Sequence, residues 1–405
     1  MIRETPVLSS DTLTRRAGVT VALKAENLQR TGSFKLRGAL AKLAALGARC
    51  EAGVVAGSAG NHAQAVAYAA RARGVPCEVF MPHTAPIAKT EAAAALGAHV
   101  HLVGETVDDA LAAARERART GSLMLVHPFD DPEVIAGQGS LGLELLGQVP
   151  DLSRVIVPVG GGGLISGVAI AIKSQRPEVE VIGVQVQACA PFPASLAAGE
   201  PVAVDSATTI ADGIAVKRPG RLTLALIDRW VDEIVLVSEE DVAEAMVFLL
   251  ERAKLVVEGA GAVGVAALLA GRIGAGMSAG MSAGMSAGVG AGAGGTHPTV
   301  VVLSGGNVDP GLLAQIARRH ESQAGRRSVL LAALPDRPGS LALLLSLVGR
   351  MGANLLDVEH IREGLHLHVR ESAVQLVLET RGPEHAAGVV RAVRDAGYAE
   401  PRPIR

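Results

Sequence analysis

Short apolar runs punctuate the chain, and polar or alanine-rich stretches of helical length separate them. "GVVA" (53–56), "CEVFMP" (77–82), "HVHLVG" (99–104), "RVIVPV" (154–159), "VEVIGVQV" (179–186) and "TVVVLS" (299–304) are near-continuous apolar segments. Runs of this length bounded by turn residues predict strands buried on both faces. Between them the pattern predicts helices from "SAGNHAQ" to Arg73, near Pro86–Leu96 and over Thr106–Arg119. Strand–helix alternation of this kind predicts an α/β body with mainly parallel, helix-covered sheets. Ligands in such sheets sit at the C-terminal ends of strands, often on glycine-rich turns.

The pattern changes after Arg326-Arg327. "SVLLAAL" (328–334) reads as a strand, and "RPGSLALLLSLVGRMG" (337–352) as a helix with Pro338 near its first turn and Gly352 at its end. "ANLLDVEHIRE" and "SAVQLVLET" read as strands, "EHAAGVVRAVRDAG" as a helix and "YAEPRPI" as a last strand. This is a β-α-β-β-α-β order, an α+β unit distinct from the body. The expected organisation is a catalytic body over 1–320, with a smaller subdomain inserted at about 50–140, and a separate unit over 328–405. Residues 274–295, "GAGMSAGMSAGMSAGVGAGAGG", repeat MSAG and have no periodic bulk to bury. They read as a flexible surface linker.

Composition narrows the function classes. With 405 residues the chain is too long for one ordinary core. A hydrophobic content of 49% against 19% charged residues places it among globular proteins. A net charge of -2 and 2% aromatics argue against a nucleic-acid partner, which requires basic patches and stacking rings. Cys50, Cys77 and Cys189 are odd in number and form no CxxC pair, which fits a reducing cytoplasm and predicts no metal site. The N-terminus lacks the apolar core of a signal peptide. Val155–Ile172 is uncharged, yet Pro158 and four consecutive glycines preclude a membrane-spanning helix, so no membrane partner is expected.

Four segments carry candidate chemistry. In "TGSFKLRGA" (31–39), Lys35 sits beside Phe34 after a Gly-Ser turn, although lysines normally keep their ammonium in water. In "VIVPVGGGGLISG" a strand, a glycine loop and a helix start follow one another, and successive N–H groups there form an anion nest suited to a phosphate. No GK[ST] follows, and the next strand leads to Gln187 instead of an acid, which weakens nucleotide readings. "SAGNHAQ" (58–64) joins a strand to a helix. Ser58 and Asn61 either cap that helix or help grip a substrate carboxylate. Ser304 ends another strand, as an N-cap or a hydroxyl donor to a ligand. A lysine and a phosphate nest in one cleft suggest pyridoxal 5'-phosphate, whose aldehyde forms a Schiff base with a lysine. Burial beside Phe34 would lower the lysine pKa and free the amine.

"KAENLQRTGSFKLRGA" (24–39), "SAGNHAQ" (58–64), "PVGGGGLISG" (158–167) and "LSGGN" (303–307), in that order, resemble the threonine dehydratase (threonine ammonia-lyase) family of fold type II, tryptophan-synthase-β-like pyridoxal-phosphate enzymes. The tail resembles an ACT domain, a small-molecule regulatory module, through "DRPGSL" (336–341) and "GANLLDVEH" (352–360). The MSAG insert departs from the family. The resemblance implies that Lys35 is the Schiff-base lysine in an apolar setting shared with Phe34. It implies that Gly160, Gly161, Gly162, Gly163 and Leu164 bind the cofactor phosphate. Asn61 would bond the pyridine 3-oxygen and Ser304 the pyridine nitrogen. Ser58, Ala59, Gly60, Asn61 and His62 would bind the substrate carboxylate. Glu258 in "VEGAGA" matches an acid near the cofactor, with a helix-start carboxylate as its alternative role. Asp336, Pro338, Gly339, Ser340, Leu341 and Asn354 would contact an amino-acid effector.

The implied activity is elimination of the Cβ hydroxyl of L-threonine, with L-serine as a second substrate, giving a 2-oxo acid and ammonia. A homo-oligomer, dimer or tetramer, and control by isoleucine or valine are expected. Serine racemase is the closest rival. The racemases of this fold carry serine where this chain has Ala59, and alanine cannot carry a proton. A sulfhydrylase of the same fold, an NAD-binding dehydrogenase with an ACT tail and a non-catalytic amino-acid sensor are the other readings.

Overall fold

A computed structural model describes residues 2–205, 208–274 and 298–399. Beyond Gly274 the MSAG insert lies outside the described residues. The chain divides into two compact units, one up to Asp309 and one from Pro310, so the helix Pro310–Gln323 belongs with the second.

The first unit holds two sheets. Its six-stranded sheet runs Val7–Ser9, Val21–Ala25, Thr299–Leu303, Arg154–Pro158, Glu180–Val186, Glu233–Val237. Only the first pair is antiparallel. The four-stranded sheet runs His99–Leu102, Cys77–Met81, Val54–Gly57, Met124–Leu125, and all its pairs are parallel. The predicted strands are all present. Val7–Ser9, Val21–Ala25, Met124–Leu125 and Glu233–Val237 were not legible in the apolar pattern, because they are short, interrupted by charge or half exposed. Val155, Val157, Val181, Val300 and Val302 have no exposed surface, as strands covered on both faces require. The Val155–Ile172 segment is a strand, a glycine loop and the helix Gly163–Lys173, and no described helix is long and apolar enough to cross a membrane.

Behind the helix Lys35–Leu46 lies a charged network that the pattern did not announce. Arg37, Lys24 and Glu26 are fully buried. Arg37 grips Glu26 through Nε and Nη2, both at 2.8 Å. It grips Glu144 through Nη1 at 2.6 Å and Nη2 at 2.8 Å. Lys24 donates to Glu144 Oε2 at 2.7 Å, to Gln148 Oε1 at 2.9 Å and to the Thr5 carbonyl at 2.8 Å. The Thr5 hydroxyl donates to Glu26. Two cations face two carboxylates, and nearly every lone pair is used, which is the condition for keeping charge out of water. Arg37 is thus a structural charge and not a solvated one. The network ties the strand Val21–Ala25 and the helix Pro132–Gln148 to the helix that begins at Lys35.

The second unit has an antiparallel sheet ordered Arg327–Pro335, Glu371–Glu379, Asn354–Ile361, with helices Ser340–Arg350 and Pro383–Asp395. Its core joins Leu334, Leu344, Val348, Leu376, Leu378, Val389 and Val393. Five of the six predicted elements are in place. The sixth, at 398–404, lies almost wholly outside the described residues. Within them, Ala333 N–H donates to Ala399 O at 2.7 Å.

Candidate active site

A cavity of about 290 Å³ opens at the C-terminal ends of strands from both sheets of the first unit. Its wall contains Phe34, Lys35, Ser58 to His62, Gly160 to Leu164, Glu258 and Ser304. Every residue expected in the cofactor and substrate sites therefore meets in one place, although the chain separates them by up to 270 positions, from 34 to 304.

Lys35 begins its helix, so its side chain stands at the cavity and not along a solvated helix face. Phe34 N–H donates to Ser304 O at 3.0 Å, and Ser33 forms a bridge with Gly305. These bonds tie the lysine turn to the end of the strand Thr299–Leu303. The Lys35 amine donates to Pro128 O at 2.9 Å and stands 5.3 Å from the centre of the Phe34 ring. Burial lowers its pKa to about 8, against a smaller opposing pull from Glu258.

The glycine run joins the strand Arg154–Pro158 to the helix Gly163–Lys173. Gly162 has φ +90°, a left-handed conformation that a side chain would strain. A Cβ on Gly161 would collide with the Phe129 ring. Packing behind the loop thus demands glycine, while its front faces the cavity. Gly163, Leu164, Ile165 and Ser166 are buried, yet no side chain caps this helix. A buried helix start without a cap needs an acceptor for its free N–H groups, and an anion supplies one.

In the 58–62 loop, Ser58 Oγ accepts from Gly60 N–H at 3.2 Å, and neither Ser58 nor Asn61 caps the helix Asn61–Arg73. Asn61 Nδ2 donates to Glu258 Oε1 at 2.7 Å, and Asn61 Oδ1 accepts from Asn307 Nδ2 at 2.8 Å. One Nδ2 hydrogen of Asn61 remains for a ligand. Glu258 does occupy the cap position at the start of the helix Gly259–Leu269, but its side chain makes no capping bond. Its Oε2 is buried and unpartnered, and its pKa rises to about 7 through burial, then through the nearby Asp212 carboxylate. His62 donates Nε2–H to Val126 O at 2.8 Å and is neutral, its pKa pushed down to about 3 by burial and then by Lys35. Ser304 is buried at the cavity wall.

Sequence reading missed Lys89, Asp212, Gln138, Phe129 and Asn307. Asn307 lay within a quoted motif. Lys89, one of seven lysines, was the signal at hand. Among the expected effector contacts, Asp336 to Leu341 span the turn and the first residues of the helix Ser340–Arg350, and Asp336 pairs with Arg362 at 2.6 Å. Asn354 is not with them. It aligns with Glu379, which aligns with Arg327, at the far end of the sheet from Pro335. Eight strand steps separate the two ends, about 26 Å at roughly 3.3 Å per residue. One ligand on one copy cannot touch both groups.

The cavity fits pyridoxal phosphate on chemical grounds: a lysine with a lowered pKa, an uncapped buried helix start and an unsatisfied acid beside an asparagine. Residues 1–282 match the family model described as pyridoxal-phosphate dependent enzyme. The L-threonine ammonia-lyase of Thermotoga maritima is 44% identical over 400 residues, 98% of this chain and 94% of that protein. A solved threonine deaminase from T.th. is 40% identical, with a TM-score of 0.67, over 76% of this chain and 94% of that one. Maize serine racemase is 33% identical, with a TM-score of 0.69, over 80% of this chain and 94% of that one. The chain belongs to the pyridoxal-phosphate dependent enzymes and uses pyridoxal phosphate as its cofactor.

Proposed function

We propose that this protein is a threonine ammonia-lyase, which eliminates water from L-threonine to an enamine that water then hydrolyses to 2-oxobutanoate and ammonia, with L-serine giving pyruvate. The observation that carries the reading is the Lys35 amine. Its pKa is lowered to about 8, in one cavity with the uncapped helix start and the 58–62 loop. The long match to L-threonine ammonia-lyase supports the same reaction.

Pyridoxal phosphate supplies an electron sink for the charge left at Cα. The chain does the rest. The N–H groups of Gly160 to Leu164 hold the phosphate. Asn61, braced by Glu258 and Asn307, gives its remaining N–H to the ring 3-oxygen. Ser304 meets the ring nitrogen with a neutral hydroxyl, which does not enforce a protonated ring as an aspartate would. Ser58 to His62 hold the substrate carboxylate, with His62 neutral. Lys35 takes the Cα proton, for which an amine whose pKa is lowered toward neutrality is suited. Ala59 offers no proton on its side of the cavity, which favours elimination over racemisation. Purified protein given L-threonine should release ammonia and 2-oxobutanoate in equal amounts. Absence of both products, or substantial D-serine from L-serine, would overturn the reading.

The second unit is proposed as an ACT module under amino-acid control, with isoleucine or valine as effector. The separation of Asn354 from the 336–341 turn favours a ligand shared by two copies, and so a homo-oligomer. A cytoplasmic enzyme of amino-acid metabolism fits the three buried cysteines, none of which forms a disulfide.

A further inference from the structure

Four charged side chains line the cavity: Lys35, Lys89, Asp212 and Glu258. The mechanism uses Lys35 and braces Asn61 with Glu258. It leaves a second cation without a task. Lys89 projects from the helix Ile87–Ala95, which follows the four-stranded sheet's Cys77–Met81 strand. Its stem lies across Gly60, the middle of the 58–62 loop. A Cβ at position 60 would stand 3.1 Å from Lys89 Cδ and 3.5 Å from its Nζ. The ammonium therefore stands beside Gly60, on the part of the loop that lines the cavity.

Its ion-pair partner is placed differently. Lys89 Nζ lies 2.7 Å from Asp212 Oδ2, but the Lys89 side chain is 14% exposed and that of Asp212 56%. The cation is inside the mouth and the acid is at the rim. Water screens an acid in that position, so it holds the lysine weakly. A carboxylate delivered to the loop would meet the same ammonium in a drier place, where a charge-assisted hydrogen bond is stronger.

We infer that Lys89 is a substrate-binding residue, whose ammonium exchanges Asp212 for the α-carboxylate of the amino acid held on the Ser58–His62 loop. This rests on the proposed placement of the substrate carboxylate on that loop. Asp212 is then a competitor that parks the lysine between turnovers. If the pair were instead a tie between the helix Ile87–Ala95 and the Asp212–Ile214 turn, removing either partner would have the same effect.

The test uses the full-length holoenzyme and three variants, Lys89→Met, Lys89→Arg and Asp212→Asn. KM and kcat are measured with L-threonine. In parallel, the Kd of L-2-aminobutyrate, which lacks a leaving group, is read from the cofactor absorbance. Lys89→Met should raise KM and Kd together by about tenfold to a hundredfold, the scale of one charge-assisted hydrogen bond. Its kcat should stay within about threefold. Lys89→Arg should restore most of the binding, and Asp212→Asn should leave both constants at or below the wild-type values. Equal increases in Lys89→Met and Asp212→Asn would establish the tie and overturn the inference. So would an unchanged Kd in a folded, cofactor-loaded Lys89→Met protein. Failure of the wild type to convert threonine would count against the proposed reaction, while the aminobutyrate Kd would still report on Lys89.

Discussion

Arg37→Met tests how the Lys35 helix is held. The substitution keeps apolar volume and removes four hydrogen bonds to carboxylates, two to Glu26 and two to Glu144. It leaves one cation, Lys24, facing two acids. Glu26 keeps only the Thr5 hydroxyl among its side-chain partners. Removing one partner of a buried pair strands the other without water, at a cost of about 3–5 kcal/mol. At roughly 2–4 °C per kcal/mol, the figure for bodies of 150–250 residues, the holoenzyme should melt on the order of 10 °C lower. The double variant Glu26→Gln/Arg37→Met restores charge balance with Lys24 and Glu144, so it should recover more than half of the loss. Below its melting point Arg37→Met should keep its cofactor colour, because Lys35 itself is untouched. Burial opposes ionisation of Glu144, but its bonds to Arg37 and Lys24 prevail and hold its pKa below the ordinary 4.5. That stabilisation is present at neutral pH and is lost as pH falls below 4.5, so the gap between wild type and variant should narrow in acid. A melting shift equivalent to less than about 1 kcal/mol, as for a surface pair, would refute the reasoning.

Further outcomes follow from the site and from the second unit. With the Lys35 pKa near 8, cofactor capture by apoprotein should speed up about tenfold per pH unit below 8 and level off above it. Lys35→Ala should lose both the absorbance at roughly 410 nm and the activity, and a capture rate flat from pH 6 to 9 would contradict the lowered pKa. Glu258, with its pKa raised from 4.5 to about 7, binds a proton in the folded state that the unfolded chain has already lost. Stability should therefore fall as pH rises through that window. Glu258→Gln should stabilise the apoprotein at pH 8 by on the order of 3 kcal/mol and leave it unchanged below pH 4.5; denaturant titration at both pH values decides. Ending the chain after Asp309, where the first unit closes, should abolish any response to isoleucine or valine while activity persists. A response in the shortened protein would place the effector elsewhere.

Much of this protein is legible from residue order alone. Glycine runs and strand-end motifs are local in sequence, because a phosphate nest or a carboxylate loop is built from consecutive backbone N–H groups. "GGGGL" and "SAGNH" therefore announce themselves. Apolar runs mark strands buried on both faces for the same reason: the cause lies within the run. Tertiary structure decided what depends on distant partners. Val21–Ala25 was not legible as a strand because Lys24 interrupts it, and Lys24 is tolerable only with Glu144 beside it, 120 positions away. The pKa of Glu258 is set by burial and by Asp212, and Asn354 is separated from the 336–341 turn by the register of a sheet. Lys89 looked like any surface lysine until the fold laid it across Gly60. Local order specifies the backbone donors, whereas charge depends on distance and dielectric, which only the folded chain supplies.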